Sequence, residues 1–474
     1  MDSLKNCVLP KELCTGHDVY IAGDVLRDYL LNRDIKDIDL VVEKDGLSIA
    51  QRFSQEQGGE LLSQGKKQEL VRVVLKDKNL SVNIINMQGR SILEHLGHKD
   101  FTINALACKV NQDGTFDIDQ IIDPFGGRED LKHKKICMIH RNTFQETPLS
   151  MLRAVGLMAE LGFDLEEDTA EAIRNEGISL KNLSPEEISY ELFRLLNCKE
   201  THYYLNIMDK HLNLLNIIFP EIEPMKEVGQ CKYHVVDAWT HSLYTLNMVE
   251  TIIYAEGYFE SHLKKAYEEH TQQLLSKDHT RLQLIKLAAL FHDIGKPSAR
   301  WVDETGRVRF KGHEITGMEI VADIAERLRF SQEEKQFLCK IVKEHMWPLN
   351  LYKQKNASSK GIYDLFEILG EETLDVLLVS LADIIATRKL LHPYEDMGVY
   401  KAYIESLAND YRTRYKGLMD TSNLLRDKDI WQQISSPEDR KKMEQILDIV
   451  RKTIFLENTS PEGRVEYVHK EIQE

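Results

Sequence analysis

Two aspartates separated by one residue, Asp37 and Asp39, are the first candidates for chemistry in this chain. They lie in the segment DIDLVV, which predicts a strand, and alternate residues of a strand point to the same face of a sheet. A glycine turn at Gly23 precedes them, between a short apolar strand and a predicted helix. Two carboxylates on one face suit Mg²⁺, which binds one or two carboxylates together with phosphate oxygens. Two such ions would activate a 3′-hydroxyl and stabilise a leaving pyrophosphate, so the pattern indicates nucleotidyl transfer.

A second group of histidines and aspartates lies in the C-terminal half of the chain, in the order H…HD…H…H…D. Its members are His241, His292, Asp293, His313, His345 and Asp383. The adjacent His-Asp pair follows the apolar run LAALF, which predicts a helix that ends at the pair. Imidazole and carboxylate together suit transition metals such as Mn²⁺, Ni²⁺, Co²⁺ or Fe²⁺. A single histidine is more often a core or surface residue than a ligand, but the whole ordered set indicates a metal centre.

The elements that must position these residues fall into four predicted parts. Residues 1–145 alternate predicted strands with short helices, which favours a small mixed α/β head. Within the head, Leu70–Leu75 and Leu80–Ile85 predict a pair of strands. The remaining parts are a helical neck (146–225), a helical metal-binding domain (226–395) and a helical, charged tail (396–474). The predicted fold class is therefore α+β, with a mixed head followed by an all-helical remainder.

The composition indicates several domains and no membrane-spanning segment. The chain has 474 residues, of which 42% are hydrophobic and 29% charged, and no apolar run approaches the roughly 20 residues of a spanning helix. Seven cysteines without a zinc-binding spacing favour a reducing cytoplasm. The net charge of −16 argues against general attraction to nucleic acid, so RNA binding would need a local basic surface. The best candidate is the run 128–141, which is otherwise a solvated face. The sequence does not indicate an oligomeric state.

Residues 19–42, VYIAGDVLRDYLLNRDIKDIDLVV, resemble the head domain of the class II tRNA nucleotidyltransferase and bacterial poly(A) polymerase family. This family is a branch of the polymerase-β-like nucleotidyltransferases, in which the strand, turn and helix read GGxVRD and the next strand carries DxD. Gly23, Arg27 and Asp28 match the motif, whereas Asp24 stands in place of its second glycine. The resemblance implies that Gly23, Arg27 and Asp28 contribute to nucleotide binding.

Two later positions extend this resemblance. Family members usually place a third carboxylate near the position of Asn83, so the resemblance implies that Asp37 and Asp39 alone are the catalytic Mg²⁺ ligands of the head. Residues 98–108, HKDFTINALAC, resemble the family's RRDFTINAL segment, in which Arg and Asp hold the ribose and phosphates and Asn supports the site. The nucleotide-binding residues implied here are Lys99, Asp100 and Asn104, with His98 and Lys99 in place of the two arginines. Lysine keeps the charge but loses the two-pronged guanidinium.

Residues 144–157, FQETPLSMLRAVGL, resemble the family's FxEDPLRxLRAxRF helix, whose Asp and first Arg pair with the edge of the incoming base. Glu146 and Arg153 match this pattern, but the base-reading Asp is Thr147 and the base-reading Arg is Ser150. Hydroxyl groups donate and accept hydrogen bonds without reproducing that charged edge. The resemblance places these four residues in nucleotide binding and leaves the choice of nucleotide open.

The His and Asp pattern of residues 241–383 resembles the HD phosphohydrolase superfamily, an all-helical metal fold, in the form fused behind some nucleotidyltransferase heads. The implied ligands of the principal ion are His241, His292, Asp293 and Asp383. A second ion, or the substrate phosphate, would be held by His313 and His345. The metal would then promote cleavage of a phosphoester by water. His234 and Asp237 would either support the ligands from behind or cap a helix.

Together these patterns predict a template-independent RNA 3′-end nucleotidyltransferase, CCA-adding or poly(A) polymerase-like, with an HD domain that hydrolyses phosphomonoesters or 2′,3′-cyclic phosphates. Its partners would be NTP and RNA, with the tRNA 3′ end implied by the family. Two alternatives stay open because the head departs from the family motifs. One is a metal-dependent HD phosphohydrolase whose head only binds nucleotide or RNA. The other is a transferase with an altered nucleotide or acceptor.

Overall fold

The structure, a computed structural model, describes residues 18–35, 37–64, 70–76, 80–228, 236–354, 358–391, 398–419 and 436–457. His234 lies outside these residues, as does part of the predicted tail. The chain divides into two compact units. The first comprises Met1–Leu183 and Lys210–Leu214, and the second comprises Ser184–Asp209 and Leu215–Glu474. The division crosses the predicted neck, and the four-part domain boundaries stay a prediction.

A six-stranded mixed sheet forms the centre of the first unit, with strand order β3-β4-β5-β2-β1-β6. Its strands are β1 (Val19–Ala22), β2 (Asp37–Val42), β3 (Glu60–Gln64), β4 (Leu70–Leu75), β5 (Leu80–Asn86) and β6 (Ala107–Lys109). β2 and β5 pair in parallel, and the other neighbours are antiparallel. The predicted strand pair of the head is therefore confirmed as β4 and β5.

Local sequence explains why these segments are strands. Along β4, LVRVVL, buried residues alternate with half-buried ones, as expected for a sheet with one covered face. All four residues of β1 are buried, since this strand lies inside the sheet between β2 and β6. One apolar cluster joins β1, β2 and the helix that follows β5, and it contains Tyr20, Ala22, Val41, Ile92 and Leu96.

Seven α-helices, three short 3₁₀ helices and a short second sheet complete the described part of the first unit. The helices are α1 (Asp24–Leu30), α2 (Gly46–Gln57), α3 (Ile92–Gly97), α4 (Gly127–His133), α5 (Thr143–Glu146), α6 (Ser150–Leu161) and α7 (Glu167–Glu176). The second sheet pairs β7 (Lys135–Ile136) in parallel with β8 (Asp164–Leu165). The turn between β1 and α1 is Gly23, as the sequence predicts.

The second unit is mostly helical. Its described helices are α8 (Pro185–Leu196), α9 (Thr201–Lys210), α10 (Leu215–Ile218), α11 (Glu223–Lys226), α12 (Ala238–Tyr254), α13 (Ser261–Thr271), α14 (Arg281–Phe291), α15 (His313–Arg327), α16 (Gln332–Glu344), α17 (Trp347–Lys353), α18 (Ser359–Leu369), α19 (Thr373–Leu391), α20 (Gly398–Asp410) and α21 (Pro437–Glu457). A hairpin of two short strands, β9 (Trp301–Val302) and β10 (Val308–Arg309), interrupts them. The α+β class is confirmed, although the remainder is mostly rather than entirely helical.

The core of the second unit surrounds α14, every residue of which is buried. α12 packs against both α14 and α19, and α15 packs against α16. A helix buried on all sides shows no polar stripe, so LQLIKLAALF reads as a nearly continuous apolar run. In the part of the chain that the structure describes, no helix has the length and apolarity needed to cross a membrane.

Candidate active sites

The two carboxylates of β2 lie beside an amide and a guanidinium from neighbouring strands. Asp39 pairs in register with Asn83 on β5, and Asn83 pairs with Arg72 on β4. The Asn83 amide donates to Asp39 Oδ1 at 2.8 Å, and Arg72 Nε donates to Asn83 Oδ1 at 2.8 Å. Arg72 Nη2 lies 3.5 Å from Asp37 Oδ1. Asp37 and Asp39 therefore share a face, as the sequence predicts, and Asn83 stands next to Asp39.

Burial is the largest influence on the pKa of Asp39. It raises the pKa of the Asp39 carboxyl, and the hydrogen bond from Asn83 and the charge of Lys99 only partly oppose this effect. The negative charges of Asp24 and Asp37 act in the same direction as burial. An additional cation near Asp39 would relieve this cost, so the site is suited to a divalent metal ion.

Gly23 brings the backbone of the turn close to Asp39. Its φ of 84° is one that side-chain-bearing residues rarely adopt. A Cβ atom at this position would lie 3.5 Å from Asp39 Oδ2 and 3.8 Å from Lys99 Nζ. The turn, strand β2 with its two carboxylates and the lysine of the HKDFTINAL segment therefore converge in the fold.

Arg27 connects the turn helix to the same segment. It is buried, and its Nε donates to Asp28 Oδ1 at 2.9 Å while its Nη1 donates to Asn104 Oδ1 at 2.8 Å. Asn104 Nδ2 in turn donates to Asp100 Oδ1 at 3.4 Å. Asp24, which replaces the second glycine, lies 3.5 Å from Arg27 Nη1. This network fixes Arg27 in place and aligns Asp100.

The structure separates the residues of the FQETPLSMLRA segment into two environments. Glu146 and Thr147, at the end of α5, are exposed. Ser150 is fully buried, and its hydroxyl donates to Asp100 Oδ2 at 3.4 Å. Arg153 Nη1 lies 3.7 Å from the same Asp100 oxygen. Asp100 thus contacts this helix through both Ser150 and Arg153.

Arg72 is the residue of this site that the sequence interpretation missed. A single arginine within the apolar strand LVRVVL was the available signal, but only the strand register shows that it faces Asn83 and Asp37. The basic run 128–141 forms α4 and β7, and its Lys and Arg side chains are largely exposed. Its role in binding RNA stays a prediction.

The second site gathers its six predicted residues from five helices. His241 lies within α12 and Asp383 within α19, His292 and Asp293 directly follow α14, His313 begins α15, and His345 directly follows α16. All six are buried. His241 Nε2 lies 2.9 Å from Asp383 Oδ1 and 3.6 Å from Asp293 Oδ2. The ligand atoms of two triads are close enough to share an ion, namely His241, His292, Asp383 and His292, Asp293, His345.

Three of these imidazoles present a buried nitrogen without a hydrogen bond. The Nδ1 atoms of His292, His313 and His345 contact the backbone carbonyls of Ala289, Phe310 and Val342 at 2.7–2.8 Å. A neutral ring that donates from Nδ1 has its acceptor lone pair on Nε2. All three Nε2 atoms are buried and form no hydrogen bond.

Two of these three nitrogens lie close to carboxylate oxygens. Nε2 of His292 and Nε2 of His313 each lie 3.2 Å from an oxygen of Asp293, without hydrogen-bonding geometry. Two acceptors at this distance repel each other unless a positive charge lies between them. The donor set therefore fits a metal ion bound by imidazole and carboxylate.

The pKa shifts agree with a site that attracts positive charge. Burial alone would lower the pKa of His292, but the Asp293 and Asp383 carboxylates outweigh it and raise that pKa. Burial, together with the neighbouring His292 and His313 rings, lowers the pKa of His345 to about 3. His345 therefore stays neutral at working pH and keeps its Nε2 lone pair available.

Lys296 and Asp237 support this site in defined ways. Lys296 is buried and donates to Asp293 Oδ2, so it is not the solvated lysine that its charge would suggest. Asp237 precedes α12 and accepts a hydrogen bond from the Thr240 backbone N–H at 2.8 Å. It therefore caps the helix that carries His241.

Replacing Gly295 with alanine should destabilise the second unit by about 1–3 kcal/mol, the usual cost of overpacking. A Cβ atom at Gly295 would lie 2.1 Å from the His313 carbonyl oxygen and 2.4 Å from Gly317 N, so α15 would have to move. Thermal denaturation of the purified variant measures the change. Gly361→Ala in α18 is the matched control, because its Cβ would meet two side-chain atoms at longer distances, a Leu351 methyl at 3.3 Å and Ser358 Oγ at 3.7 Å. Equal melting temperatures for the two variants would contradict the close approach.

Three family models match successive parts of the chain. The poly A polymerase head domain matches residues 19–137, the probable RNA and SrmB-binding site of polymerase A matches 162–226, and the HD domain matches 238–388. The first match contains the two carboxylates, and the third contains all six His and Asp residues.

Relatives with different nucleotide specificities resemble this chain. A CC-adding tRNA nucleotidyltransferase of Thermus thermophilus is 27% identical, with 82% of each chain covered. A multifunctional CCA protein of Haemophilus ducreyi is 28% identical over 77% of this chain and 84% of that protein. An A-adding tRNA nucleotidyltransferase of Deinococcus radiodurans is 27% identical, and the match spans 62% of this chain and 60% of that protein.

Solved structures share the fold. A CCA-adding enzyme in complex with ATP has a TM-score of 0.63 at 19% identity and covers 98% of this chain and 92% of that one. The Thermotoga maritima CCA-adding enzyme complexed with tRNA has a TM-score of 0.60 at 19% identity, with 99% and 98% covered. The head domain, the RNA-binding site and the HD domain are matched in this order, so the chain is similar to tRNA nucleotidyltransferases over most of its length and has the domain order that the sequence resemblance implies.

Proposed function

We propose that this protein adds nucleotides, without a template, to the 3′ end of RNA, and that a tRNA is the acceptor. The observation that carries the proposal is the convergence of Asp37 and Asp39 with the Gly23 turn and Lys99 in the head. The partners are an NTP and the RNA 3′ end, in keeping with the tRNA substrates named for the relatives. A cytoplasmic location belongs to the same proposal, because NTPs and tRNA precursors meet there.

The residues that converge in the head have separate proposed roles in the reaction. Asp37 and Asp39 would hold Mg²⁺, which supplies charge neutralisation at the triphosphate and acidifies the RNA 3′-hydroxyl. Gly23 leaves room for a phosphate to approach the backbone, and Lys99 adds a positive charge beside it. The nucleotide is positioned by the network of Arg27, Asp28, Asp100, Asn104 and Arg153.

Incorporation of label tests this proposal. Purified protein with Mg²⁺, each labelled NTP separately and a tRNA transcript that ends before CCA should produce labelled RNA. The variant with both Asp37→Ala and Asp39→Ala is the control and should produce none. Absence of label with every NTP would overturn the transferase proposal.

A second activity is proposed for the HD domain, namely hydrolysis of phosphomonoesters or 2′,3′-cyclic phosphates. The complete set of six buried ligands, with three orphaned Nε2 atoms, favours it. His241, His292, Asp293 and Asp383 would hold the principal ion, with His313 and His345 at a second ion or the phosphate. Mn²⁺, Ni²⁺, Co²⁺ or Fe²⁺ would polarise the phosphoester and acidify water. The charges of His292 and Lys296 lower the pKa of the Asp293 carboxyl, and the hydrogen bond from Lys296 orients it.

Nucleotide choice should change when the family's base-reading pair is restored. The double variant Thr147→Asp with Ser150→Arg should favour CTP and ATP over GTP and UTP about tenfold more than the wild type does, because an Asp-Arg pair offers a charged, two-pronged edge to the base. Parallel incorporation assays with the four NTPs measure the ratio.

The buried position of Ser150 requires a control for folding. An arginine there must displace neighbours of Asp100, so the melting temperature of the double variant is measured beside that of Thr147→Asp alone, which changes only an exposed residue. A folded double variant with unaltered nucleotide ratios would count against the transferase proposal.

A further inference from the structure

A short hairpin separates two ligands of the His and Asp cluster. Strands β9 and β10 pair Trp301 with Arg309 and Val302 with Val308. In the chain they lie between Asp293 and His313. The two ends of the hairpin segment are therefore connected to residues of the His and Asp cluster.

Phe310, which directly follows β10, fixes the base of the hairpin to the cluster. Its carbonyl oxygen accepts the hydrogen bond from His313 Nδ1 at 2.8 Å, which sets the tautomer of that ligand. Its ring lies 5.8 Å from Lys296 Nζ, and Lys296 donates to Asp293. The hairpin thus has a defined position next to the proposed hydrolytic centre.

The outer part of the hairpin exposes an aromatic ring. Trp301 is 48% exposed, and Val302 is 53% exposed. Arg309, the cross-strand partner of Trp301, has its Nε held by Asp303 Oδ2 at 2.9 Å. Asp303 also accepts hydrogen bonds from Thr305 and from the Arg307 backbone, which closes the turn. Trp301 therefore lies in a hairpin whose turn is held by hydrogen bonds.

Three positively charged residues lie in or next to the hairpin that carries this ring. Arg300, Arg307 and Lys311 are exposed, and none of them forms an ion pair with any residue that the structure describes. In a chain with a net charge of −16, a group of cations without acidic partners marks a surface for an anion. An aromatic ring among cations is the usual combination for single-stranded nucleic acid, in which bases stack and phosphates bind cations.

We propose that this hairpin binds the single-stranded 3′ segment of an RNA whose terminal phosphoester enters the His and Asp cluster. Trp301 stacks on a base, and Arg300, Arg307 and Lys311 bind the phosphates that precede the end. The hairpin makes the HD domain selective for polynucleotide ends over free nucleotides. This inference rests on the proposed hydrolytic function of the cluster.

Steady-state kinetics of hydrolysis with two substrates tests the selectivity. The substrates are an eight-nucleotide RNA that ends in a 2′,3′-cyclic phosphate and a 2′,3′-cyclic mononucleotide. Trp301→Ala, and separately Arg307→Ala with Lys311→Ala, should raise KM for the RNA about tenfold, as expected for a lost stacked base or lost phosphate contacts. Values for the mononucleotide should not change. Trp301→Phe should keep most of the affinity, and Ile449→Ala is the matched control for loss of an exposed apolar side chain.

Photocrosslinking provides a second readout that does not require hydrolysis. The same RNA with 4-thiouridine as its penultimate nucleotide should crosslink to the peptide that contains Trp301 in the full-length wild type. An unchanged KM without this crosslink would overturn the hairpin proposal, as would equal losses on RNA and mononucleotide. A crosslink in a wild-type protein that hydrolyses neither substrate would keep the hairpin proposal and reject the hydrolytic function.

Discussion

Replacing Asp39 with asparagine should lower nucleotide incorporation by about 1,000-fold or more, because the head then keeps a single carboxylate for its metal ion. In the part of the chain that the structure describes, Asn83 is the side chain paired in register with Asp39, and it supplies no charge. Arg72 already neutralises part of Asp37. Incorporation of labelled nucleotide into a tRNA transcript, at saturating Mg²⁺ and NTP, measures the loss.

The stability of Asp39→Asn should not fall with its activity. Because burial raises the pKa of Asp39 in the folded protein, the folded state binds a proton more readily than the unfolded state, and ionised Asp39 costs stability as pH rises through that pKa. An asparagine removes this cost and can still accept the hydrogen bond from Asn83. At pH 7 without divalent ions, the melting temperature of the variant should equal or exceed that of the wild type.

Mg²⁺ provides the matching test of metal binding. It should raise the melting temperature of the wild type by binding the folded state, and this increase should be smaller in Asp39→Asn. Thr115→Ala, at an exposed position of a turn in the same unit, is the control and should leave both quantities unchanged. Full incorporation by Asp39→Asn would show that the catalytic carboxylates lie elsewhere.

The carboxylate pair was predictable because its geometry is local. Alternation of side chains along DIDLVV is enough to place Asp37 and Asp39 on one face of the strand. The strand before Gly23 was likewise predictable from its own apolar residues. The position of Lys99 beside Gly23 joins residues far apart in the chain, and only the resemblance to a family suggested it. Arg72 required the register of three strands, which the sequence pattern does not specify.

The second unit shows the same division between local and long-range information. The helix that ends at Phe291, directly before His292, was predictable from its apolar run. The ordered His and Asp set predicted a metal centre, but the distances between its members required the packing of five helices. The hairpin escaped prediction because strands of two residues have no periodicity to detect.

Replacing His345 with alanine should lower phosphoester hydrolysis by about 100-fold or more while incorporation at the head stays unchanged. His345 is buried, its Nδ1 is held by the Val342 carbonyl, and its Nε2 forms no hydrogen bond. Burial and two neighbouring imidazoles lower its pKa to about 3, so the ring is neutral at pH 7 and would act as a ligand rather than as a proton donor. Hydrolysis of a 2′,3′-cyclic mononucleotide with Mn²⁺ or Ni²⁺ measures the loss.

Two further measurements separate loss of a ligand from loss of folding. The metal retained after gel filtration should fall in His345→Ala, because one donor of the triad with His292 and Asp293 is absent. His262→Ala is the control. It removes a largely exposed histidine of the same unit, which contacts Asn409 rather than the His and Asp cluster, and it should retain both metal and activity. If His345→Ala keeps its melting temperature, its metal and its rate of hydrolysis, the phosphoester is cleaved outside the His and Asp cluster, and the orphaned Nε2 atoms require another explanation.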